Sequence, residues 1–202
     1  MPGLLPLTRT GVAAPLPVGR AAAEPTKDSA AGDRRGGVSV TREAALFAGA
    51  EAAFDFVSAE DVLPKVLTGY GLLPAVVATS GNTGPWSEPG SRRVVHLADG
   101  NTAREEITLH ERPGRFAYRV SDPTFALRHL VDEARGEWWF DPVEGGGTRV
   151  RWTYTFRPRN ALAVVPLALF ARAQWAGYMD TCMGNIVRHF EAPGPAAAAA
   201  RR

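Results

Sequence analysis

The stretch EWWFDPVEGGGTRVRWTYTF, residues 137 to 156, decides the fold. Trp138 and Phe140 share one side of the chain before the glycines, and Val150, Trp152, Tyr154 and Phe156 share one side after them. A two-residue period marks strands with one buried face. Gly145-Gly146-Gly147 supplies the reversal between them, so the segment reads as a long antiparallel hairpin with a large aromatic inner face. The three glycines are not followed by the Lys-Ser/Thr of a phosphate loop, and a hairpin turn accounts for them without a nucleotide.

Working outward, the region from Leu72 to Trp152 is punctuated by Gly81-Asn82, Pro89-Gly90, Asp99-Gly100, Pro113-Gly114 and Asp122-Pro123, at spacings that suit an antiparallel meander of about six strands. Val38 to Phe47 reads as a first strand. Two short helices follow it. The first places Ala50, Phe54 and Val57 on one face, and Ser58 with Asp61 three residues on predicts the capped start of the second. After Pro158, residues Leu162, Val165, Leu169, Ala173, Ala176, Met179, Met183, Ile186 and Phe190 recur at steps of three or four. They predict one long amphipathic helix with Asn160 as its cap and Pro166 as a kink or a first-turn residue. The fold class is α+β, a curved antiparallel sheet wrapped around a long C-terminal helix, which buries both apolar faces at once.

Composition bounds the rest. Residues 1 to 37 contain no aromatic side chain and are rich in Ala, Pro and Gly; they predict a disordered N-terminal tail, and 192 to 202, with Pro193 and Pro195, a disordered C-terminal tail. The folded domain is then 38 to 191. Segment 38–200 carries 16 basic and 18 acidic residues, interleaved, which argues against a nucleic-acid surface despite a net charge of +2 for the whole chain. A single cysteine, Cys182, forms no internal disulfide and no structural zinc site. Prolines break the N-terminal segment before a signal-peptide core can form, and the most apolar stretch, Ala161 to Ala171, is too short to span a bilayer. A soluble cytoplasmic protein without stable membrane insertion, cofactor or metal is expected. Oligomeric state is left open.

With that order in place, AAFDFVS at 52–58, DGNTAREEIT at 99–108, YRV at 118–120 and the 137–156 hairpin resemble the SRPBCC superfamily, the START, birch-pollen-allergen and polyketide-cyclase-like proteins, over residues 38 to 191. The resemblance implies a helix-grip fold with a cavity between sheet and helix, and a small hydrophobic molecule as the binding partner. It does not choose among cyclases, dehydratases, lipid carriers and quinone-binding proteins.

Strand parity names the candidate lining. If Ile107 and Leu109 face inward, so do Ala103 and Glu105, while His110 faces out. Phe116 shares a face with Tyr118 and Val120, and Trp138 and Trp152 belong to the aromatic hairpin wall. A carboxyl on an apolar face titrates high and can transfer protons near neutrality; Tyr118 and Tyr154 can donate to a developing enolate. Glu105, Tyr118 and Tyr154 are therefore the candidate catalytic set for cyclisation or dehydration of a polyketide-like substrate. The competing reading pairs Glu105 with an Arg of the next strand at the barrel rim and makes the tyrosines core residues. Candidate ligand contacts are His96, whose inward or outward parity is open, Phe116, Trp138, Trp152, and the helix stripe Phe170, Gln174, Tyr178. Trp86 is a candidate cover for the entrance and His129 a candidate for its rim. A carrier of lipid, quinone or metabolite acting with a membrane or protein partner is the alternative, with Leu162 to Phe170 as its candidate contact segment.

Overall fold

The computed structural model describes residues 37–191; the two expected tails lie outside them, apart from Gly37. Seven strands form one sheet: β1 (Val38–Leu46), β2 (Val76–Ser80), β3 (Arg92–Leu97), β4 (Thr102–Glu111), β5 (Arg115–Ser121), β6 (Val131–Pro142) and β7 (Thr148–Pro158). Their order across the sheet is β1-β7-β6-β5-β4-β3-β2, with every neighbouring pair antiparallel. β2 to β7 thus run as an uninterrupted meander, and β1 joins its end. Short helices α1 (Ala50–Val57) and α2 (Leu63–Val66) connect β1 to β2.

The C-terminal helix runs without a break in four pieces: a 3-10 turn at Ala161–Ala163, α3 (Val164–Phe170), a π-helical turn at Ala171–Trp175, and α4 (Ala176–Glu191). The Asn160 side chain accepts from the Ala163 N–H at 3.0 Å, the cap that the sequence predicts. Pro166 falls in the opening turn of α3, where its missing N–H costs least. Leu167, Met179, Cys182, Met183 and Ile186 turn inward and meet Phe54, Ile107, Trp152 and Phe156, all buried. That is the helix-grip arrangement.

The inner face follows strict alternation on β7, where Thr148, Val150, Trp152, Tyr154 and Phe156 are all buried. Trp138 of β6 lies directly opposite Trp152 and stacks on it, with ring centroids 4.6 Å apart.

Two local expectations are corrected. Ser58 closes α1, its N–H bonded to the Phe54 carbonyl, and does not cap α2, whose first turn is set instead by Pro64 after Val62. In β4 a bulge between Ile107 and Leu109 inserts one extra residue. Parity reverses beyond it, so His110 reaches the core side. Its ring stands edge-on to Phe54 at 4.9 Å and to Phe116 at 5.9 Å.

Burial holds the His110 imidazole below its ordinary value of 6.5, and the nearby Asp55 opposes this only in part. Between that lowered value and 6.5 the folded chain binds fewer protons than the unfolded one, so stability rises with pH across the window and is lost as pH falls through it. We expect the midpoint of thermal unfolding to drop below pH 6.5, ahead of carboxylate titration, and His110→Phe to flatten that part of the profile. An unchanged profile in the variant would show that the ring is already solvated.

Candidate functional site

The sheet and the C-terminal helix do not close fully on one another. A cavity of about 110 Å³ lies between them. Trp152, Tyr154 and Phe156 of β7 form its buried wall, and Leu73, Pro74, Leu97, Pro123 and Phe125, all half-buried, mark where it nears the surface. A second space of about 20 Å³, room for about one water, lies deeper. Trp86, Arg93, Trp138, Cys182 and Ile186 line it. Glu105, Tyr118 and Trp152, with Leu63 and Leu67, border both spaces and form the partition between them.

Among the described residues Glu105 is the one acidic side chain bordering either space. It faces inward from β4, as parity predicts, but it is not at a rim. Its partner is Arg93, directly opposite on β3, and the two side chains are 4% and 2% exposed. Arg93 donates from Nε to Oε2 at 2.8 Å, and its Nη2 lies 2.7 Å from the same oxygen. Nη1 donates to the Glu60 carbonyl at 2.6 Å, and the guanidinium lies 3.7 Å from the Trp86 ring centroid. The guanidinium therefore engages one carboxylate oxygen. Burial raises the Glu105 pKa, while the charge and hydrogen bonds of Arg93 pull it the other way; the net direction is upward.

The tyrosines behave differently from one another. Tyr118 and Tyr154 lie on either side of Gly136 in register, with centroids 6.5 Å apart. Burial raises both hydroxyls well above the ordinary phenol range, with Glu105 among the lesser causes, so at neutral pH they are donors and not bases. Tyr178, on α4, is also raised by burial, but its hydroxyl already donates to the Pro74 carbonyl at 3.2 Å. It fastens the loop that borders the cavity. The indole N–H groups of Trp152 and Trp175, two lining residues, are buried and have no hydrogen-bond partner among the described residues.

Of the other candidates, Trp152 lines the main cavity, and Phe116 and Trp138 line only the deeper space. His96 does not reach either. Arg93, Val95 and Leu97 point inward from β3, so His96 points outward, where Nε2 lies 2.7 Å from the Ser80 hydroxyl. Of the helix stripe, Tyr178 lines the main cavity, while Phe170 and Gln174 are displaced from it. The π turn adds a residue to one helical turn and rotates the side chains beyond it, so Trp175 takes the cavity position and Gln174 turns to the loop, accepting from the Leu72 N–H at 3.1 Å. Phe170 packs on Phe156 and Trp175 instead. Trp86 covers the buried ion pair and not the entrance, and His129 is exposed, its Nε2 accepting from Arg128. Cys182 is buried with its thiol raised by burial, a small apolar residue as expected. No cluster of three or more His, Cys, Asp or Glu among the described residues could hold a metal ion.

The family model described as polyketide cyclase / dehydrase and lipid transport matches residues 37–191. Among solved structures, the protein XoxI from Bacillus cereus superposes with a TM-score of 0.58 at 16% identity, covering 77% of this chain and 96% of that one. Ginseng major latex-like protein 151 from Panax ginseng gives 0.58 at 14%, covering 77% and 97%. The di-domain ARO/CYC protein BexL from the BE-7585A biosynthetic pathway gives 0.57 at 20%, covering 78% of this chain and 51% of that one. At these identities the likeness is one of fold. No curated protein matches the sequence.

Gly136 is the position on which the partition depends, because a Cβ there would collide with the Tyr118 ring. Gly136→Ala should cost about 1–3 kcal/mol in urea unfolding, the usual penalty of overpacking. Combined with Tyr118→Leu it should cost less than the sum of the two single changes. Additive losses would mean that the ring does not lean on this glycine.

Proposed function

The chain belongs to the polyketide cyclase / dehydrase and lipid transport family, and on that premise we propose that it binds a small apolar, carbonyl-bearing molecule and transfers protons to and from it through Glu105. One observation carries this reading. Glu105 is a buried carboxylate with one oxygen held by Arg93 while the residue borders the cavity. The apolar wall supplies binding, and the few polar groups supply orientation. Tyr118 and Tyr154, held protonated by burial, are suited to donate to a carbonyl oxygen as it gains enolate character.

In a cyclisation, Glu105 takes a proton from a methylene flanked by carbonyls. The resulting carbanion bonds to a second carbonyl carbon, and that oxygen recovers the proton from Glu105. Loss of this hydroxyl with a neighbouring proton releases water. The sequence of steps balances without an oxidant or reductant.

The pairing of Glu105 with Arg93 also favours a second reading, because a carboxylate already neutralised can serve simply to orient cargo. The family description, which joins cyclases to lipid transport, accommodates a carrier equally. Glu105→Gln separates the two. With a poly-β-ketone thioester mimic as substrate and anilinonaphthalene sulfonate as the binding probe, the catalytic reading expects turnover to fall by about 10²–10⁴-fold, the usual contribution of a positioned acid–base group, with probe affinity kept. Trp152→Ala should instead weaken the probe. Turnover that survives Glu105→Gln would remove the catalytic role and leave the carrier.

A further inference from the structure

The first third of the C-terminal helix presents an uncovered apolar face. No charged residue stands between Asn160 and Arg172. Leu162 is 88% exposed, Val165 67% and Leu169 64%, while only Ala163, Leu167 and Ala171 turn fully inward. Their spacing of three and four places Leu162, Val165 and Leu169 on one outward stripe. Scattered exposed leucines need no explanation, but a contiguous stripe of this kind marks a contact surface. Leu72, 87% exposed, stands on the loop that Gln174 ties to the same helix.

Charge selects the partner. From Gly145 to Met179 the chain carries Arg149, Arg151, Arg157, Arg159 and Arg172 and no Asp or Glu. Arg172 follows the stripe on the helix, and neither it nor Arg128 has a carboxylate partner among the described residues. Arg157 and Arg159 flank the start of the helix, bordering one cleft with Ala161 and Val164. Arg159 and Arg128 border the adjoining cleft. The acidic groups bordering these clefts, Asp132 and Asp122, face Arg159 and Arg104 at 3.7 Å, and Glu133 is shared by Arg119, Arg135 and Arg157, so that among the described residues Arg128 and Arg172 remain without a carboxylate. A symmetric contact with a second copy would set this arginine-flanked patch against itself. An anionic bilayer surface complements it, the apolar stripe entering the headgroup boundary and the arginines meeting lipid phosphates and carboxylates.

We infer that Leu162, Val165 and Leu169, together with Arg159 and Arg172, dock this protein peripherally on a membrane surface that contains anionic lipid. Among the described residues no helix is long and apolar enough to cross a membrane, so the contact is superficial. The stripe ends six residues before Trp175, which lines the cavity. An apolar guest could then pass between bilayer and cavity with little exposure to water. Docking requires no proton transfer and stands apart from the role of Glu105.

The test is flotation of the full chain with phosphatidylcholine vesicles, with and without phosphatidylserine. Binding is expected to the phosphatidylserine vesicles and to weaken as salt is raised. Leu162→Gln with Leu169→Gln should lower partitioning by about tenfold or more. Arg159→Glu with Arg172→Glu should lower it roughly fivefold per charge on phosphatidylserine vesicles and little on phosphatidylcholine alone. All four side chains are exposed, so thermal unfolding and binding of anilinonaphthalene sulfonate should stay as in the parent. Absence of binding to either vesicle, or binding that the glutamine pair leaves unchanged, would overturn the inference. A dimer in light scattering that the glutamine pair dissolves would assign the face to a second copy and overturn it equally.

Discussion

The buried pair of Arg93 and Glu105 is the constraint around which the interior is arranged. Two charges removed from water cost several kcal/mol each before attraction repays any of it, and the repayment requires good geometry and every remaining donor satisfied. Here the two residues face one another across adjacent strands, the third guanidinium nitrogen finds the Glu60 carbonyl, and the Trp86 ring covers the cationic plane. The β2–β3 loop that carries Trp86 and the turn that carries Glu60 are thus tied to β3, the strand next to the β2 edge of the sheet. Removing either charge alone would leave the other buried without a partner, a loss of about 3–5 kcal/mol in comparable cases.

The same pair explains the division of the interior. A sheet curved around a helix leaves space, and apolar side chains alone would be free to fill it. Glu105, Tyr118 and Trp152, with Leu63 and Leu67, instead form a partition, with an aromatic chamber on one side and the ion pair on the other. Gly136 makes that partition possible by yielding space on β6 to the Tyr118 ring. Polar groups in the main chamber are few and mostly donors, which frames the proposed guest as an apolar molecule with oxygen acceptors. The exposed helix face and its arginines extend the same logic outward, to a lipid surface adjoining the chamber.

Much of the architecture was legible in the sequence because unbroken periodicity is a reliable signal. The β6–β7 hairpin, the number and order of strands, Asn160 as cap and the inward placement of Glu105, Tyr118, Trp152 and Tyr154 all follow from alternation or helical spacing that no insertion interrupts. Two of the failures share one cause. A β-bulge after Ile107 and a π turn at Ala171–Trp175 each add a residue that leaves no trace in hydrophobicity, and each turns the downstream side chains. His110 entered the core for the first reason, and Trp175 replaced Gln174 for the second. Arg93 was hidden differently: in RRVVHL two adjacent valines make the parity ambiguous, and a charged residue reads as exposed. The signal that could have found it is a cross-strand one. Glu105 on an inward face requires a cation opposite, and a three-residue turn over Ala98, Asp99 and Gly100 puts Arg93 there.

The central claim is that the chamber between sheet and helix takes up an apolar guest with carbonyl acceptors. Native mass spectrometry of the full chain purified without detergent, followed by denaturing release, tests this most directly. The account predicts a bound small molecule at one per chain, released on unfolding, apolar in its carbon frame and bearing carbonyl oxygens, and lost when Trp152 is cut to Ala. A chain that carries no such mass and takes up none when offered apolar carbonyl compounds would contradict it, and Glu105 would then be half of a structural ion pair.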